Sequence, residues 1–389
     1  MAERPKALIV GAGIAGLAAA WWLDKAGWSS VIIEKAPGIR DGGYIVSLSG
    51  PCRDTVERMD LGPRLSEVSY KFDENVLSDV HGRRLLRLRY KDVHGGVDSL
   101  ALCRGDLARA LLDALPTSVD IRFDETLEDA VLRDDKVTAT LKSGTVIEAD
   151  LLIGADGIRS FTRDRFWKEA DCLEHLGYMY GVYDVEGNTE LGSDCVSFNS
   201  PGHLDVLYRL RNDRLAALHI WRDDGVKLHD RQGKPRVIRD ATAGRNITLI
   251  KDVLDRAEKT GYTPLIDSLT MVDLQSWSQG RVVLLGDAAH CLTLMSGQGA
   301  GMALVSAEIL GKELMRTSDV AEALASHERK LRPVIERLQD RSRRMAAMYI
   351  PKSTFSYYLR NLLLKIMPYS WIVSWHVNST KSEIELMQS

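Results

Sequence analysis

A glycine-rich stretch, GAGIAG at residues 11–16, limits the possible folds more than any other part of the sequence. It follows a short apolar run, PKALIVG, which predicts a buried parallel strand. Small and apolar residues at helical spacing come next and predict a helix that ends near Gly27, and a second apolar run then ends at Glu34. This order predicts a βαβ unit that holds the diphosphate of a dinucleotide at the helix N-terminus.

The carboxylate at the end of the second predicted strand, Glu34, indicates the kind of dinucleotide. A carboxylate at this place accepts hydrogen bonds from ribose hydroxyls and repels a 2′-phosphate. The site is therefore predicted to hold the ADP part of FAD or NAD, and NADP is disfavoured there. The residues assigned to it are Gly11, Gly13, Ile14, Ala15, Gly16, Glu34 and Lys35.

A second glycine cluster, GDAAHCLTLMSGQGAG at residues 286–301, decides between FAD and NAD. A buried strand, RVVLLGD, delivers Asp287 to its carboxyl end, where ligands of α/β sheets bind, and SGQGAG then opens a helix. An aspartate accepts hydrogen bonds from a polyol chain. Free N–H groups at a helix N-terminus suit a reduced flavin, which carries negative charge. Both features fit FAD, and an NAD enzyme requires neither.

The length and the distribution of strand patterns predict the domain organisation. A chain of 389 residues exceeds one ordinary core, so two domains are expected. We predict an α/β fold, in which a Rossmann-like FAD-binding domain carries an inserted, mostly antiparallel β-sheet substrate domain and C-terminal helices. The predicted boundaries are 1–70, 100–175 and 275–350 for the FAD-binding domain, 71–99 and 176–274 for the substrate domain, and 351–389 for the C-terminal helical segment.

Several motifs in order give the chain a family resemblance. They are GAGIAG with Glu34, CRGDLARAL, GADGIRS at 154–160, GDAAH followed by GQG, and HERKLRP at 327–333. Across nearly the whole chain, the sequence resembles the class A flavoprotein monooxygenases of the para-hydroxybenzoate hydroxylase type, which include the tetracycline-inactivating enzymes.

The resemblance implies further cofactor contacts. Arg104 is similar to an arginine that reaches FAD, and Asp156 to an aspartate linked to FAD and nicotinamide handling; the alternatives are a solvated helix arginine and a turn-capping aspartate. Asp287 corresponds to the ribitol contact. The remaining residues assigned to the cofactor are Arg40, Gly297, Gln298 and Gly299. Where many members have proline and asparagine, this chain has Leu294 and Gly301. His290 is expected to be structural, so the flavin itself carries the chemistry.

The resemblance also implies a reaction. NADPH or NADH reduces FAD transiently, O₂ adds at flavin C4a, and the hydroperoxide transfers one oxygen atom to an electron-rich small molecule by hydroxylation or epoxidation. The alternatives are an FAD-dependent dehydrogenase or reductase that does not use oxygen, and a non-enzymatic FAD-binding protein. The sequence leaves the choice between NADH and NADPH open.

The strand pair around Asn212-Asp213 supplies candidate substrate contacts. A two-residue turn there would pair position 208 with 217 and place Tyr208, His219 and Trp221 on one largely apolar face. These three residues are therefore candidates for the substrate pocket, and packing against a neighbouring helix is the alternative. An apolar pocket of this kind fits an aromatic, polycyclic or terpenoid substrate.

Composition excludes several other classes of function. The net charge of −3 gives no reason to expect nucleic acid as a partner, and the five cysteines show no metal-ligand spacing. The start of the chain resembles no signal peptide, and the apolar C-terminal run carries Arg360, Lys365 and Pro368, so stable membrane insertion is not expected. We expect a cytoplasmic monomer or homodimer whose C-terminal helix covers the substrate entrance, or packs as a core or dimer helix.

Overall fold

The computed structural model describes most of the chain. The described residues are 4–39, 44–93, 99–133, 135–168, 171–187, 190–223, 233–371 and 373–374. The strands are β1 (Lys6–Val10), β2 (Ser29–Glu34), β3 (Ile45–Ser49), β4 (Glu74–Ser78), β5 (Arg84–Arg89), β6 (Ser99–Cys103), β7 (Asp120–Phe123), β8 (Leu127–Leu132), β9 (Val137–Leu141), β10 (Val146–Ala149), β11 (Leu151–Gly154), β12 (Leu173–Glu186), β13 (Cys195–Ser200), β14 (His203–Leu210), β15 (Arg214–Arg222), β16 (Leu265–Val272), β17 (Ser278–Gln279) and β18 (Val282–Leu284).

Helices alternate with these strands and follow the last of them. They are α1 (Ile14–Lys25), α2 (Pro51–Arg58), α3 (Gly62–Glu67), α4 (Tyr90–Val93), α5 (Arg104–Asp113), α6 (Phe161–Phe166), α7 (Pro235–Thr242), α8 (Thr248–Lys259), α9 (Asp287–His290), α10 (Gly299–Arg316), α11 (Val320–Tyr349) and α12 (Thr354–Ile366), with a 3₁₀ turn at Leu294–Ser296. No helix within these described ranges combines the length and the apolar character that a membrane crossing needs.

A sheet in the order β17-β18-β11-β1-β2-β7, parallel except for the antiparallel pair β17 and β18, contains the predicted cofactor motifs. β1 pairs in parallel with both β2 and β11, and β18 pairs in parallel with β11. The glycine loop, Glu34, the GADG turn and Asp287 each follow the carboxyl end of one of these four strands, so they share one edge of the sheet. The predicted α/β class and its βαβ opening are confirmed.

A second sheet has the order β16-β12-β15-β14-β13-β4-β5, and its neighbours are antiparallel except for the parallel pair β13 and β4. One face packs against α7 and α8 through residues such as Leu207, Ala217, Ile238 and Val253. We call this the closed face. The other face carries Leu204, Val206, Leu218 and Ile220 and meets Leu294 and Met295 near the end of β18. We call this the wall face. The division of the chain into a cofactor domain and a substrate domain stays a proposal.

The predicted register of the β14–β15 hairpin is wrong by one residue. Leu210 pairs with Arg214, so the turn contains residues 211–213, and Asn212 and Asp213 both adopt positive φ, at 58° and 55°. Tyr208 therefore pairs with Ala216 rather than with position 217. Because side chains alternate across a strand, a one-residue slip moves one strand's residues to the opposite face relative to the other.

Candidate cofactor and substrate site

The first glycine loop has two kinds of glycine. Gly11 has φ of 106°, and an added Cβ would lie 2.5 Å from the carbonyl oxygen of Ala155, so the fold itself requires glycine there. Gly13 differs, because its extended backbone (φ −77°, ψ −176°) suits any residue and nothing lies within 4 Å of an added Cβ. The space beside Gly13 lies at the N-terminus of α1, which no side chain caps. This arrangement fits a diphosphate held against free N–H groups.

Glu34 lies against this loop. Its Oε2 accepts a hydrogen bond from the Ala12 N–H at 2.9 Å, and its Oε1 accepts one from the Ala36 N–H at 2.9 Å. These two bonds fix the carboxylate at the carboxyl end of β2, and its remaining lone pairs can accept ribose hydroxyls. The next residue, Lys35, is exposed.

The second glycine cluster packs directly on the first. An added Cβ at Gly286 would lie 3.0 Å from the Cβ of Ala15 in the first turn of α1. The side chain of the next residue, Asp287, is exposed to a space that is itself enclosed by protein atoms. Burial accordingly raises the pKa of Asp287, and the nearby Arg104 charge and a hydrogen bond with Cys291 partly oppose that rise. Asp287 is thus an acceptor on the wall of a deep cleft.

The N-terminus of α10 completes this cleft. Gly297 is left-handed (φ 67°) and ends the 3₁₀ turn, and α10 begins at Gly299 after Gln298 without a side-chain cap. An added Cβ at Gly299 would have only one neighbour within 4 Å, Asp287 Oδ1 at 3.9 Å. Gly13 and Gly299 thus repeat one arrangement: a glycine with ordinary φ beside open space at an uncapped helix N-terminus. Together with Glu34 and Asp287, this set of donors and acceptors fits FAD.

Arg104 and Tyr44 lie beside Asp287. The Arg104 N–H donates to the carbonyl oxygen of Tyr44 at 3.2 Å, across the antiparallel pair β3 and β6. Burial raises the pKa of the Tyr44 hydroxyl to about 12, and the charge of Arg104 opposes that rise. The structure therefore places Arg104, Asp287 and Tyr44 close to one another, and Tyr44 belongs to none of the sequence motifs.

Asp156 caps its own turn. Its Oδ1 accepts from the Ser160 hydroxyl at 2.5 Å, and its Oδ2 accepts from the Thr162 N–H and hydroxyl at 2.9 and 3.0 Å. These are the contacts of a turn-capping aspartate, the alternative drawn from the sequence. Arg40, the remaining predicted cofactor residue, lies outside the described residues.

The structure explains one of the two departures from the family pattern, Gly301. An added Cβ at Gly301 would lie 2.5 Å from the sulfur of Cys52 in α2, so Cys52 occupies the room that a side chain at 301 needs. Leu294 follows Thr293, which is held at φ 61° and accepts a hydrogen bond from the Met295 N–H at 3.3 Å. A β-branched residue at positive φ is strained, and such strain concentrates at functional sites.

His290 and residues of the HERKLRP motif contact Trp277. His290 is buried against Trp277, with ring centroids 4.8 Å apart, and burial lowers its pKa to about 3. Glu328 accepts from the Trp277 N–H at 3.0 Å, and Arg332 donates to Leu274 and lies over the Trp277 ring. These contacts fasten α11 to the segment before β17, which explains the motif without a catalytic role.

The prediction that Tyr208, His219 and Trp221 share one face is wrong. Tyr208 lies on the wall face, where its hydroxyl accepts from the Ile45 N–H at 3.2 Å. His219 pairs with Asp205, and Trp221 packs with Leu207 and Ile238 on the closed face. The structure therefore separates Tyr208 from His219 and Trp221, which remain on one face, because the hairpin register differs by one residue from the predicted register.

The closed face contains a buried polar network. The Asp205 carboxylate accepts two bonds from Arg245, at 2.5 and 3.1 Å, and lies 2.7 Å from His219 Nδ1. His219 Nε2 lies 3.0 Å from the Tyr183 hydroxyl. Burial alone would raise the pKa of Asp205, but His219 and Arg245 outweigh it and hold that pKa below its usual value.

The wall face is apolar and partly open. Tyr180, Val206 and Leu218 are partly exposed there, and Tyr180 pairs with Asp267 across the β12–β16 ladder. Burial raises the pKa of Tyr180 well above its usual value, and the neighbouring Tyr44 adds to the rise. At the rim, the Arg159 guanidinium binds the Asp267 carboxylate at 2.6 Å. Sequence reasoning missed Tyr180 and Asp267, although strict alternation along YMYGVY could have placed Tyr178 and Tyr180 on one face.

Comparison with known proteins bears directly on this site. The sequence pattern of the family described as FAD binding domain matches residues 4–342. An uncharacterised protein of Mycobacterium tuberculosis is 30% identical over 322 residues, which cover 80% of this chain and 85% of the relative. A flavin-dependent monooxygenase of Legionella longbeachae is 28% identical over 329 residues, covering 81% of each. The crystal structure of the tetracycline destructase Tet(51) is similar at 26% identity with a TM-score of 0.78, covering 94% of this chain and 97% of that one.

Proposed function

Because the chain belongs to the FAD binding domain family and is an FAD-dependent monooxygenase, we propose that it uses NADPH or NADH to insert one oxygen atom of O₂ into an apolar aromatic, polycyclic or terpenoid small molecule. One observation supports the FAD part of this proposal. Gly13 and Gly299 each lie at a helix N-terminus without a side-chain cap and border open space, and Asp287 lies close to Gly299.

In this proposal, the chain's own residues would bind and orient FAD. Glu34 would accept the ribose hydroxyls and the first amides of α1 would face the diphosphate. Asp287 would accept a ribityl hydroxyl, while the N-terminal amides of α10 would face the flavin carbonyl. Arg104 would balance the Asp287 charge in the cleft. The residues proposed for the cofactor site are Gly11, Gly13, Ile14, Ala15, Gly16, Glu34, Lys35, Arg40, Arg104, Asp287, Gly297, Gln298 and Gly299.

Bound FAD would supply the electron transfer and the activation of O₂. The protein's task is then to bring a substrate to the flavin and to keep water away from it. The wall face supports this role, because Tyr180, Val206 and Leu218 offer partly exposed apolar surface close to Leu294 and Asp287. Tyr208 supports the wall through Ile45, and we propose no substrate contact for His219 or Trp221. The described cysteines are free, which supports a reducing compartment such as the cytoplasm.

Gly13→Ala tests the cofactor half. The added methyl group meets no protein atom and the backbone tolerates it, so the apoprotein keeps its free energy of unfolding. The methyl group does occupy the space proposed for the diphosphate, so FAD affinity falls at least tenfold. Affinity is measured by titrating apoprotein with FAD and following flavin fluorescence.

Gly144→Ala is the matched control. Gly144 also has nothing within 4 Å of an added Cβ, but it has φ of 81° and lies in the turn between β9 and β10. This variant should lose about 1 kcal/mol of stability and keep its FAD affinity. Unchanged FAD affinity in Gly13→Ala would contradict the proposed diphosphate site.

The reaction is tested on the FAD-loaded protein. NADH or NADPH oxidation is followed with aromatic polyketides, indoles and prenylated compounds, and products are analysed by mass spectrometry. Oxygen-dependent coenzyme consumption with a product heavier by one oxygen atom supports the proposal. A reduced or dehydrogenated product formed equally well without O₂ would instead identify a dehydrogenase or reductase.

A further inference from the structure

Helix α12 shows its apolar face to the outside. Phe355, Tyr358, Leu359, Leu362, Leu363 and Ile366 are all exposed, and their helical spacing forms one continuous stripe. Trp371, which follows the helix, is 66% exposed. Amphipathic helices of globular proteins normally bury such a stripe, so this polarity is inverted.

The polar face of α12 holds it to the protein. The Tyr357 hydroxyl donates to the carbonyl oxygen of Asn199 at 3.0 Å, and Arg360 donates to Asn199 Oδ1 at 2.6 Å. Arg360 also donates to the carbonyl oxygen of Tyr349 at 3.3 Å and to Asn361 Oδ1. Because these bonds tie α12 to β13 and to the end of α11, the orientation that exposes the apolar stripe is fixed.

A row of cations lies next to this stripe. β5 is the edge strand of its sheet, and its exposed basic residues, with those of the adjoining turn and helix α4, are Arg83, Arg84, Arg87, Arg89 and Lys91. The row is continuous with the C-terminal segment, because the Tyr369 hydroxyl accepts from the Arg89 N–H at 3.2 Å and donates to Asp92 at 2.9 Å. Arg87 pairs with Glu74 and Arg89 with Asp92, whereas Arg83 and Arg84 form no ion pair within the described residues.

We propose that the α12 stripe and the β5 cations together form a docking surface for an anionic lipid bilayer. A helix of 13 residues is about 20 Å long, so it can lie in the plane of the interface with its leucines and aromatic rings among the lipid tails. The adjacent arginines then contact lipid phosphates, and each cation near the surface increases the affinity for the bilayer roughly fivefold. This inference goes beyond the proposed reaction and does not depend on it.

A second copy of the chain fits this surface less well. In a twofold dimer that buries this whole surface, both copies bring the same row of arginines into one interface, which then carries an excess of positive charge. Like charges facing one another oppose association, whereas a surface of anionic headgroups attracts both rows. Charge complementarity therefore favours lipid.

The test uses full-length FAD-loaded protein and sedimentation with lipid vesicles. We expect co-sedimentation with vesicles of phosphatidylcholine mixed with phosphatidylglycerol, at least tenfold weaker binding to phosphatidylcholine alone, and a loss of binding as salt is raised. Leu362→Ser combined with Ile366→Ser should weaken binding at least tenfold. Arg83→Glu combined with Arg84→Glu should weaken binding to anionic vesicles by a similar factor.

Matched controls use exposed residues elsewhere. Val146→Ser removes an exposed apolar side chain of β10, and Arg236→Glu reverses an exposed charge of α7, so both should bind vesicles like the parent protein. FAD content and melting temperature, measured on every variant, should stay unchanged because the altered side chains are exposed.

Three outcomes would overturn the proposal. The first is binding that ignores lipid charge. The second is no vesicle binding together with a stable dimer that the Leu362→Ser and Ile366→Ser variant dissociates, which would assign the stripe to a second copy. The third is vesicle binding that appears only after deletion of residues 375–389, which would assign the stripe to that segment of the same chain.

Discussion

The two faces of the seven-stranded sheet differ in how they use polar groups. On the closed face, Asp205 is fully buried and its carboxylate is bonded by Arg245 and His219. On the wall face, the partly exposed side chains are mainly apolar, and the polar pair Arg159–Asp267 lies at the rim. The Arg245 Nε has no hydrogen-bond partner within the described residues, but the other bonds of this network still order the core, whereas open apolar surface can bind a ligand. We therefore propose that the closed face contributes stability and that the wall face binds the substrate.

The largest expected effect is on the closed face. Asp205→Ala leaves the Arg245 guanidinium buried without its carboxylate, so the free energy of unfolding should fall by about 3–5 kcal/mol. Urea unfolding followed by circular dichroism measures this change. Asp184→Ala is the control, because Asp184 forms a more exposed ion pair with Arg214 in the same sheet and should cost at most about 1 kcal/mol. Equal losses of unfolding free energy in the two variants would show that the buried network contributes no more to stability than an exposed ion pair.

Leu207→Ala is expected to cost somewhat less. Leu207 is fully buried between the sheet and α8, and its truncation leaves a cavity, so stability should fall by about 3 kcal/mol. The same experiment on Val206, one residue away and on the wall face, should cost clearly less because Val206 is only partly buried. Urea unfolding of both variants compares adjacent positions of one strand.

Val206→Trp tests whether the wall face binds substrate. A tryptophan there extends into the open side of the wall, so kcat/KM for a bound apolar substrate should fall about tenfold, which corresponds to about 1.4 kcal/mol. Stability should change by less than about 1 kcal/mol. The reference is Leu207→Trp, which overpacks the closed face and should lose stability instead. A stable Val206→Trp enzyme with unaltered kinetics would show that substrate does not use this wall.

The effect expected to be smallest at neutral pH is a dependence of stability on pH. Burial lowers the pKa of His203, on β14, from 6.5 to about 4, and the charge of Arg245 adds to this shift. The unfolded chain therefore binds more protons between pH 6.5 and 4, so stability is complete above pH 6.5 and is lost as the pH falls towards 4. His203→Gln should reduce the slope of unfolding free energy against pH by at most about 1.4 kcal/mol per pH unit in that window. His290 and His327 have lowered pKa values as well and should leave a residual slope in the variant.

The parallel sheet could be predicted because its signals are local. A glycine turn between an apolar run and a helix specifies the βαβ unit by itself, and Asp287 and Arg104 lie beside motifs of the same kind. The hairpin could not be placed, because Leu204 to Leu207 and Leu215 to Leu218 carry apolar residues towards both faces. With both faces buried, the pattern does not select a register, and a turn of two or three residues around Asn212 decides it.

Side-chain roles within the site were harder to predict than their positions. Asp156 stands at the expected sheet edge, yet only its bonds to Ser160 and Thr162 show that its carboxylate caps a turn. Position 301 has no room for a side chain because Cys52, which is distant in the sequence, packs against it. Tyr44 and Tyr180 both lie near Asp287 but belong to regions of two different sheets, so no short sequence motif could predict that they come together.

The contact between Gly286 and Ala15 has a consequence for biosynthesis. One half of the proposed flavin site, the loop at residues 11–16, is translated among the first residues, and the other half, at residues 286–301, is translated only after the whole seven-stranded sheet. A ribosome-bound chain that stops before α10 would therefore have its first loop and strand in place without a complete binding cleft. Capture of the flavin then belongs to the last stage of folding, after the slow closure of a very long loop.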